Sequence, residues 1–129
     1  MSMFLDTHTF LWFIIGDKPL PTQARTMIEN VVNKRFLSVV SLWEMAIKIS
    51  IGKLETDISL EEIINEHITN NLIEIVPVRP ADILTLSTLP FFHRDPFDRM
   101  IIAQTINNNI PIISIDAAFD AYSLQRLWD

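Results

Sequence analysis

The chain has no cysteine. Disulfides and thiolate metal sites are thereby excluded, and the composition fits a reducing cytoplasm. It also lacks any apolar run near the roughly 20 residues needed to span a membrane. No basic leader is present at the N-terminus, where Asp6 interrupts the first apolar run, so a secretory signal is not expected. Positive charge is scarce: ten Lys and Arg stand against sixteen Asp and Glu, a formal charge of −6. A broad basic surface for nucleic acid is excluded on that balance. An enzyme acting on nucleic acid is not, because a carboxylate metal site makes a chain acidic and a bound cation offsets it. Internal repeats, low-complexity stretches and interdomain linkers are absent too.

The residues that are present suit a globular domain. With 129 residues, 49% of them apolar and 20% charged, the chain is long enough to bury a substantial core in one domain, 1–129.

Read in order, Met3 to Leu5 suits a short buried strand. Phe10, Leu11, Phe13, Ile14 and Ile15 form an apolar helix closed by Gly16 and Asp17-Lys18-Pro19. A second helix is expected over Pro21 to Val32, with Ala24, Met27, Ile28 and Val31 facing the core. Phe36 to Val40 reads as a second strand ending near Ser41, and a helix carrying Leu42, Met45, Ala46 and Ile49 stops at Gly52. Ser59 reads as the N-cap of a helix from Leu60 to about Asn70, with Glu61 and Glu62 in its first turn. Leu72 to Val76 is a third strand and Ala81 to Thr88 a short helix. Another helix runs from Phe97 to about Asn107, and a turn at Asn107-Asn108-Asn109 leads into the strongest strand, Ile110 to Ile115. The tail from Ala117 to Asp129 has room for one helical turn and an edge strand around Leu124 to Trp128. Alternating short strands and helices indicate an α/β domain with a mainly parallel sheet.

Ligands of such sheets bind beyond the carboxyl ends of the strands. Asp6 follows the first strand, Glu44 lies one turn into the helix after the second, Asp98 opens a helix, and Asp116 follows the last strong strand. Each has an ordinary explanation. Ser41-Leu42-Trp43-Glu44 fits a capping box, and Asp95-Pro96-Phe97-Asp98 fits an N-cap with proline next to it. Asp6 and Asp116 each fit the N-cap of the next helical segment. Together they suggest more: four connections deliver carboxylates to one sheet edge, where their repulsion calls for a cation. An all-oxygen site suits Mg²⁺ or Mn²⁺, and such ions serve phosphate chemistry.

The blocks "FLDTHTFLW" (Phe4 to Trp12), "SVVSLWEMAIKISIGKL" (Ser38 to Leu54), "HRDPFDRMIIAQ" (His93 to Gln104) and "PIISIDAAFDAY" (Pro111 to Tyr122) resemble the motif blocks of PIN domains. More narrowly they are similar to the VapC-like toxin nucleases of type II toxin–antitoxin pairs. The resemblance spans nearly the whole chain and is least distinctive from Glu55 to Leu89.

It implies a three-layer α/β/α fold and a Mg²⁺- or Mn²⁺-dependent endoribonuclease in the cytoplasm. It also implies a homodimer and a cognate antitoxin. The family's acids fall on Asp6, Glu44, Asp98 and Asp116, with Asp6 and Asp98 as main metal ligands and the other two completing the site directly or through water. Asp95 is either a fifth acid or simply the N-cap. Ser114, two residues before the fourth acid, is able to hydrogen-bond a ligand or water. Lys48, His93, Arg94 and Arg99 are candidates for RNA phosphates or for plain solvated charge, and His8 reads as a helix-surface residue. Trp12 and Trp43 follow core spacing. A non-catalytic binding partner of the same fold is the alternative. A haloacid-dehalogenase-type phosphatase fits less well, because His8 stands where that class has its second aspartate.

Overall fold

The computed structural model describes residues 1–16, 19–54 and 56–128. Strand β1 (Ser2–Leu5) divides its side chains between two cores: Met3 and Leu5 enter one, Phe4 the other. The same alternation separates Leu37 from Phe36 in β2 (Lys34–Ser38), Ile75 from Val76 in β3 (Glu74–Val76) and Ile113 from Ile112 in β4 (Ile112–Ile113). A sheet covered on both faces is what makes these strands near-continuous apolar runs. With β5 (Arg126–Leu127) the sheet has five strands, all parallel, in the order β3-β2-β1-β4-β5.

Helices cover both faces. On one side lie Phe10 and Leu11 of α1 (Thr7–Ile15), Ala24 and Ile28 of α2 (Thr22–Glu29), and Ile63 and Ile68 of the π-helical segment Ile63–Thr69, which continues α4 (Leu60–Glu62). On the other lie Leu86 of α5 (Pro80–Ser87), Ile101 and Ile102 of α6 (Pro96–Asn108), and Phe119 of a 3₁₀ turn, Ala117–Ala121. Helix α3 (Val39–Ser50) contributes Met45 to the first core and Val40 to the second. Among the described residues no helix is long and apolar enough to cross a membrane.

The chain builds β1, β2 and β3 in one direction and then crosses back to lay β4 on the other side of β1. Strand order therefore reverses between β1 and β4, the point where open α/β sheets form their crevice.

Several elements depart from the expected boundaries. Helix α2 stops at Glu29, because Asn30 turns extended and its side chain accepts the Val32 amide; Val31 is left exposed. β2 ends two residues early, since the Ser38 hydroxyl accepts the Val40 amide and starts α3 there. The capping box expected at Ser41 and Glu44 does not form, and both residues are buried along α3. β4 is confined to Ile112–Ile113. Its backbone still continues the pairing outward: the Phe4 amide donates to Pro111 and the Ser114 amide to Leu127. β3 begins late because Leu72 adopts a left-handed φ of 59°. Gly16 closes α1 with a φ of 77° and its amide donates to the Trp12 carbonyl, whereas Asp17 and Lys18 lie outside the described residues.

Candidate metal centre

Each acid is delivered by a local rule. Asp6 is the N-cap of α1, accepting the Thr9 amide at 2.8 Å. Asp95 caps α6 by accepting the amides of Phe97 and Asp98 at 2.8 and 3.0 Å, with Pro96 in the first turn. Asp98 thus sits at the amide end of α6, where the helix dipole favours an anion. Asp116 caps the 3₁₀ turn through the Ala118 amide. Glu44 differs, since it lies within α3, buried, with Oε2 accepting from Lys48 Nζ at 2.6 Å.

Buried polar links fix these elements to one another. The Thr7 hydroxyl donates to Ser41 at 2.9 Å and joins α1 to α3; Thr9 donates to the Ile113 carbonyl at 2.9 Å and joins α1 to β4. Ser38 donates to Gln104 Oε1 at 2.5 Å, and Gln104 Nε2 donates to the Pro77 carbonyl at 3.2 Å, joining α3, α6 and the exit of β3. Ser114 serves two acids: its oxygen accepts the Asp116 amide at 3.0 Å, and its hydroxyl hydrogen-bonds the Asp6 carboxylate.

The acids meet at the strand-order reversal. Asp98 is pushed up to about 7 by burial, then by the charge of Asp95, with Asp6 and Glu44 adding to the rise and His93 opposing it. Burial also raises Asp6, against hydrogen bonds from Ser114 and Thr9 that pull it down. Lys48 is held above its ordinary value, chiefly by its hydrogen bond to Glu44. Asp116 joins the group through His93, whose Nε2 lies 2.7 Å from Asp116 Oδ2 and 3.2 Å from Asp98 Oδ2. One ligand atom from each of His93, Asp98 and Asp116 falls within 4.8 Å of the others.

This donor set fits a hard divalent cation. Glu44 Oε1 is buried without a hydrogen-bond partner among the described residues, and Asp98 is raised by its burial and its anionic neighbours. Both demands are met by a cation that accepts carboxylate oxygens.

The residues expected to meet RNA fare differently. Arg99 is 6% exposed; its guanidinium donates to the carbonyls of Leu89, Pro90 and His93 and lies 3.8 Å over the Phe91 ring. It holds the loop before α6 and is not available to a phosphate. Ser114 is fully buried and is likewise removed from the surface. Arg94 is exposed, and Lys48 is half-exposed beside Glu44. His8 is exposed, as expected for a helix surface. Trp12 packs against the first core, but Trp43 is 61% exposed and meets Phe97 edge-on, contrary to its core-like spacing.

The central position of His93 is not legible in the sequence. Its partners lie up to 29 residues away, and only its neighbourhood to the Asp95-Pro96-Phe97-Asp98 cap hints at a place near the acids. A cavity of about 200 Å³ beside Glu44 is also unforeseen, and it brings His8, Trp12, Lys48 and Lys53 together.

The family model described as the PIN domain matches residues 3–124. Among solved structures, the chain resembles VapBC2 from Rickettsia felis bound to a DNA fragment from their promoter, with a TM-score of 0.73, 14% identity and 100% of both chains covered. It also resembles VapBC-1 from nontypeable Haemophilus influenzae, with a TM-score of 0.65, 16% identity and 98% and 97% of the two chains covered. FitAcB from Neisseria gonorrhoeae is a further neighbour, with a TM-score of 0.63, 14% identity and coverage of 97% and 96%. No curated protein matches the chain by sequence.

Proposed function

The chain belongs to the PIN-domain family, and from that premise we propose that it is a metal-dependent endoribonuclease, the toxin of a type II toxin–antitoxin pair acting in the cytoplasm. The observation that carries this reading is the gathering of carboxylates at the crevice, where Asp95, Asp6 and Glu44 add to the rise that burial imposes on Asp98. Asp6, Glu44, Asp98 and Asp116 would hold Mg²⁺ or Mn²⁺, and Asp95 serves as the cap that orients Asp98. When bound, such an ion activates water and offsets the charge that builds on phosphate during hydrolysis.

The chain's own residues do the rest. The Asp6 and Asp95 caps hold their carboxylates on rigid helix starts, so no reorganisation is needed as charge develops. Lys48 pairs with Glu44 through Oε2 at 2.6 Å and fixes the orientation of its carboxylate. In an acidic protein, His8, Lys48 and Lys53 around the cavity beside Glu44, with exposed Arg94, supply a local path for a phosphate backbone.

The antitoxin and a second copy of the chain are the proposed protein partners. The likeness to VapBC and FitAcB structures supports the first. An exposed apolar recess of about 530 Å³, lined by Val39, Trp43, Phe97, Met100 and neighbours, supplies surface for association.

The test is cleavage of a labelled single-stranded RNA pool by the full chain with Mg²⁺ or Mn²⁺. Asp6→Asn and Asp98→Asn should each lower the rate by about a thousandfold or more with the circular dichroism spectrum unchanged. Undiminished metal-dependent cleavage by both variants overturns the assignment.

A further inference from the structure

Two adjacent phenylalanines in the loop 88–95 hold their rings in water: Phe91 is 81% exposed and Phe92 61%. Neither belongs to either core, yet neither is loose. The buried Arg99 guanidinium lies 3.8 Å from the Phe91 ring centroid and covers one face, leaving the other open. Arg99 also donates to the carbonyls of Leu89, Pro90 and His93, so the ring rests on a support tied to its own loop. Phe92 meets the Tyr122 ring edge-on at 5.4 Å. The Tyr122 hydroxyl holds the loop twice, donating to the Pro90 carbonyl at 2.6 Å and accepting the His93 amide at 2.9 Å.

The same loop runs into the acids. His93, two residues after Phe91 and so within about 7 Å of it between Cα atoms, reaches Asp116 Oδ2 at 2.7 Å and Asp98 Oδ2 at 3.2 Å. Arg94 follows, exposed and without an ion pair among the described residues. Open rings next to an open cation suit a nucleic-acid strand, whose bases stack on aromatic faces while its phosphates take the cation. A protein surface closing over these rings would draw Arg94 out of water and have to supply an acid for it. Bases paired in a duplex are stacked on one another, so the strand that fits has unpaired bases.

We propose that Phe91 and Phe92 form a platform on which unpaired RNA bases stack beside the metal centre, with Arg94 taking an adjoining phosphate. The proposal deepens the ribonuclease reading and rests on it for the identity of the strand. Arg99 and Tyr122 hold the rings in place beforehand, so little ordering accompanies binding.

The experiment separates bases from phosphates. Fluorescence anisotropy of the full chain, with no divalent cation added, compares a short labelled single-stranded RNA with a ribose-phosphate strand of equal length that lacks bases. Wild type should bind the base-bearing strand about tenfold or more tightly than the bare backbone. Phe91→Leu combined with Phe92→Leu keeps the apolar bulk, removes both π-faces and should shrink that preference to within about threefold. Phe91→Tyr combined with Phe92→Tyr keeps both rings and should retain it. A preference that is absent in wild type, or that survives the leucine pair, overturns the platform; if the leucine pair instead alters the molar mass in light scattering, the rings cover a protein interface. Cleavage is read separately. With Mg²⁺ or Mn²⁺ the leucine pair should raise KM about fivefold or more and keep kcat within about twofold, and a fall in kcat at unchanged KM also overturns the platform. A wild-type chain that prefers bases but cleaves no RNA refutes the ribonuclease reading and leaves the platform standing.

Discussion

The two ends of α6, a helix of 13 residues and so about 20 Å long, each meet a carboxylate, and they are built on different principles. At the C-terminal end, Asp82 is buried with both oxygens in use: Oδ2 accepts the Arg79 amide at 2.9 Å and Oδ1 accepts Asn107 Nδ2 at 2.9 Å. Both donors are neutral and fixed. At the N-terminal end, Asp98 is surrounded by Asp95, Asp6 and Glu44, and Glu44 Oε1 has no hydrogen-bond partner among the described residues. A buried carboxylate that serves the fold is fully satisfied. One proposed to serve a ligand sits among like charges beside an unpartnered acceptor, and the contrast separates the two ends of the helix without reference to any relative.

Three measurements test that contrast, from the largest effect to the smallest. The first concerns pH. A carboxyl that titrates near 7 in the fold and at 3.8 in the unfolded chain costs the fold up to about 4 kcal/mol once ionised. Below pH 3.8 both states hold the proton and the penalty is absent. As pH rises toward 7 the unfolded chain ionises first, so stability of the metal-free protein should fall over that window and level off above it. Urea melts from about pH 4 to 8 check this: Asp98→Asn should flatten the decline, and Mg²⁺ should restore stability at about pH 8 more than at about pH 5.

The second concerns the other end. Asp82→Asn replaces an acceptor by a donor opposite the Arg79 amide or Asn107, and should lower stability by about 1–2 kcal/mol. Cleavage should stay within roughly twofold of wild type, because the site is too distant to couple. A large loss of cleavage would break the division between the two ends.

The third asks whether packing outside the crevice holds the N-terminal end. Trp43 touches Phe97 in the first turn of α6 but is largely exposed, so Trp43→Ala should change stability by less than about 1 kcal/mol. A greater loss in chemical melts would mean that the acid end depends on its apolar cover as well as on its caps.

How far these features can be read from the chain depends on how local their causes are. The Asp95 and Ser59 caps are legible because donor and acceptor lie within three residues. The strand–helix order is legible because burial on both faces leaves unbroken apolar runs. The start of α3 is not: Ser38 and Ser41 are both plausible caps, and only the contact from Thr7, 34 residues away, assigns Ser41 to the interior. Arg99 misleads for the same reason, since its three carbonyl partners belong to a loop whose path no local pattern announces. Trp43 has the spacing of a core residue on a helix whose face happens to lie open.

The Ser38–Gln104 hydrogen bond has a mechanical consequence. It rivets the first turn of α3 to the middle of α6, and Gln104 is riveted again to Pro77. Glu44 lies about a turn and a half beyond one end of that rivet and Asp98 the same distance on the other side. The gap between these two carboxylates is thereby a property of the frame rather than of side-chain choice, like the opening of calipers locked by one screw. Whatever sits between them must match a width set by a serine and a glutamine that never touch it.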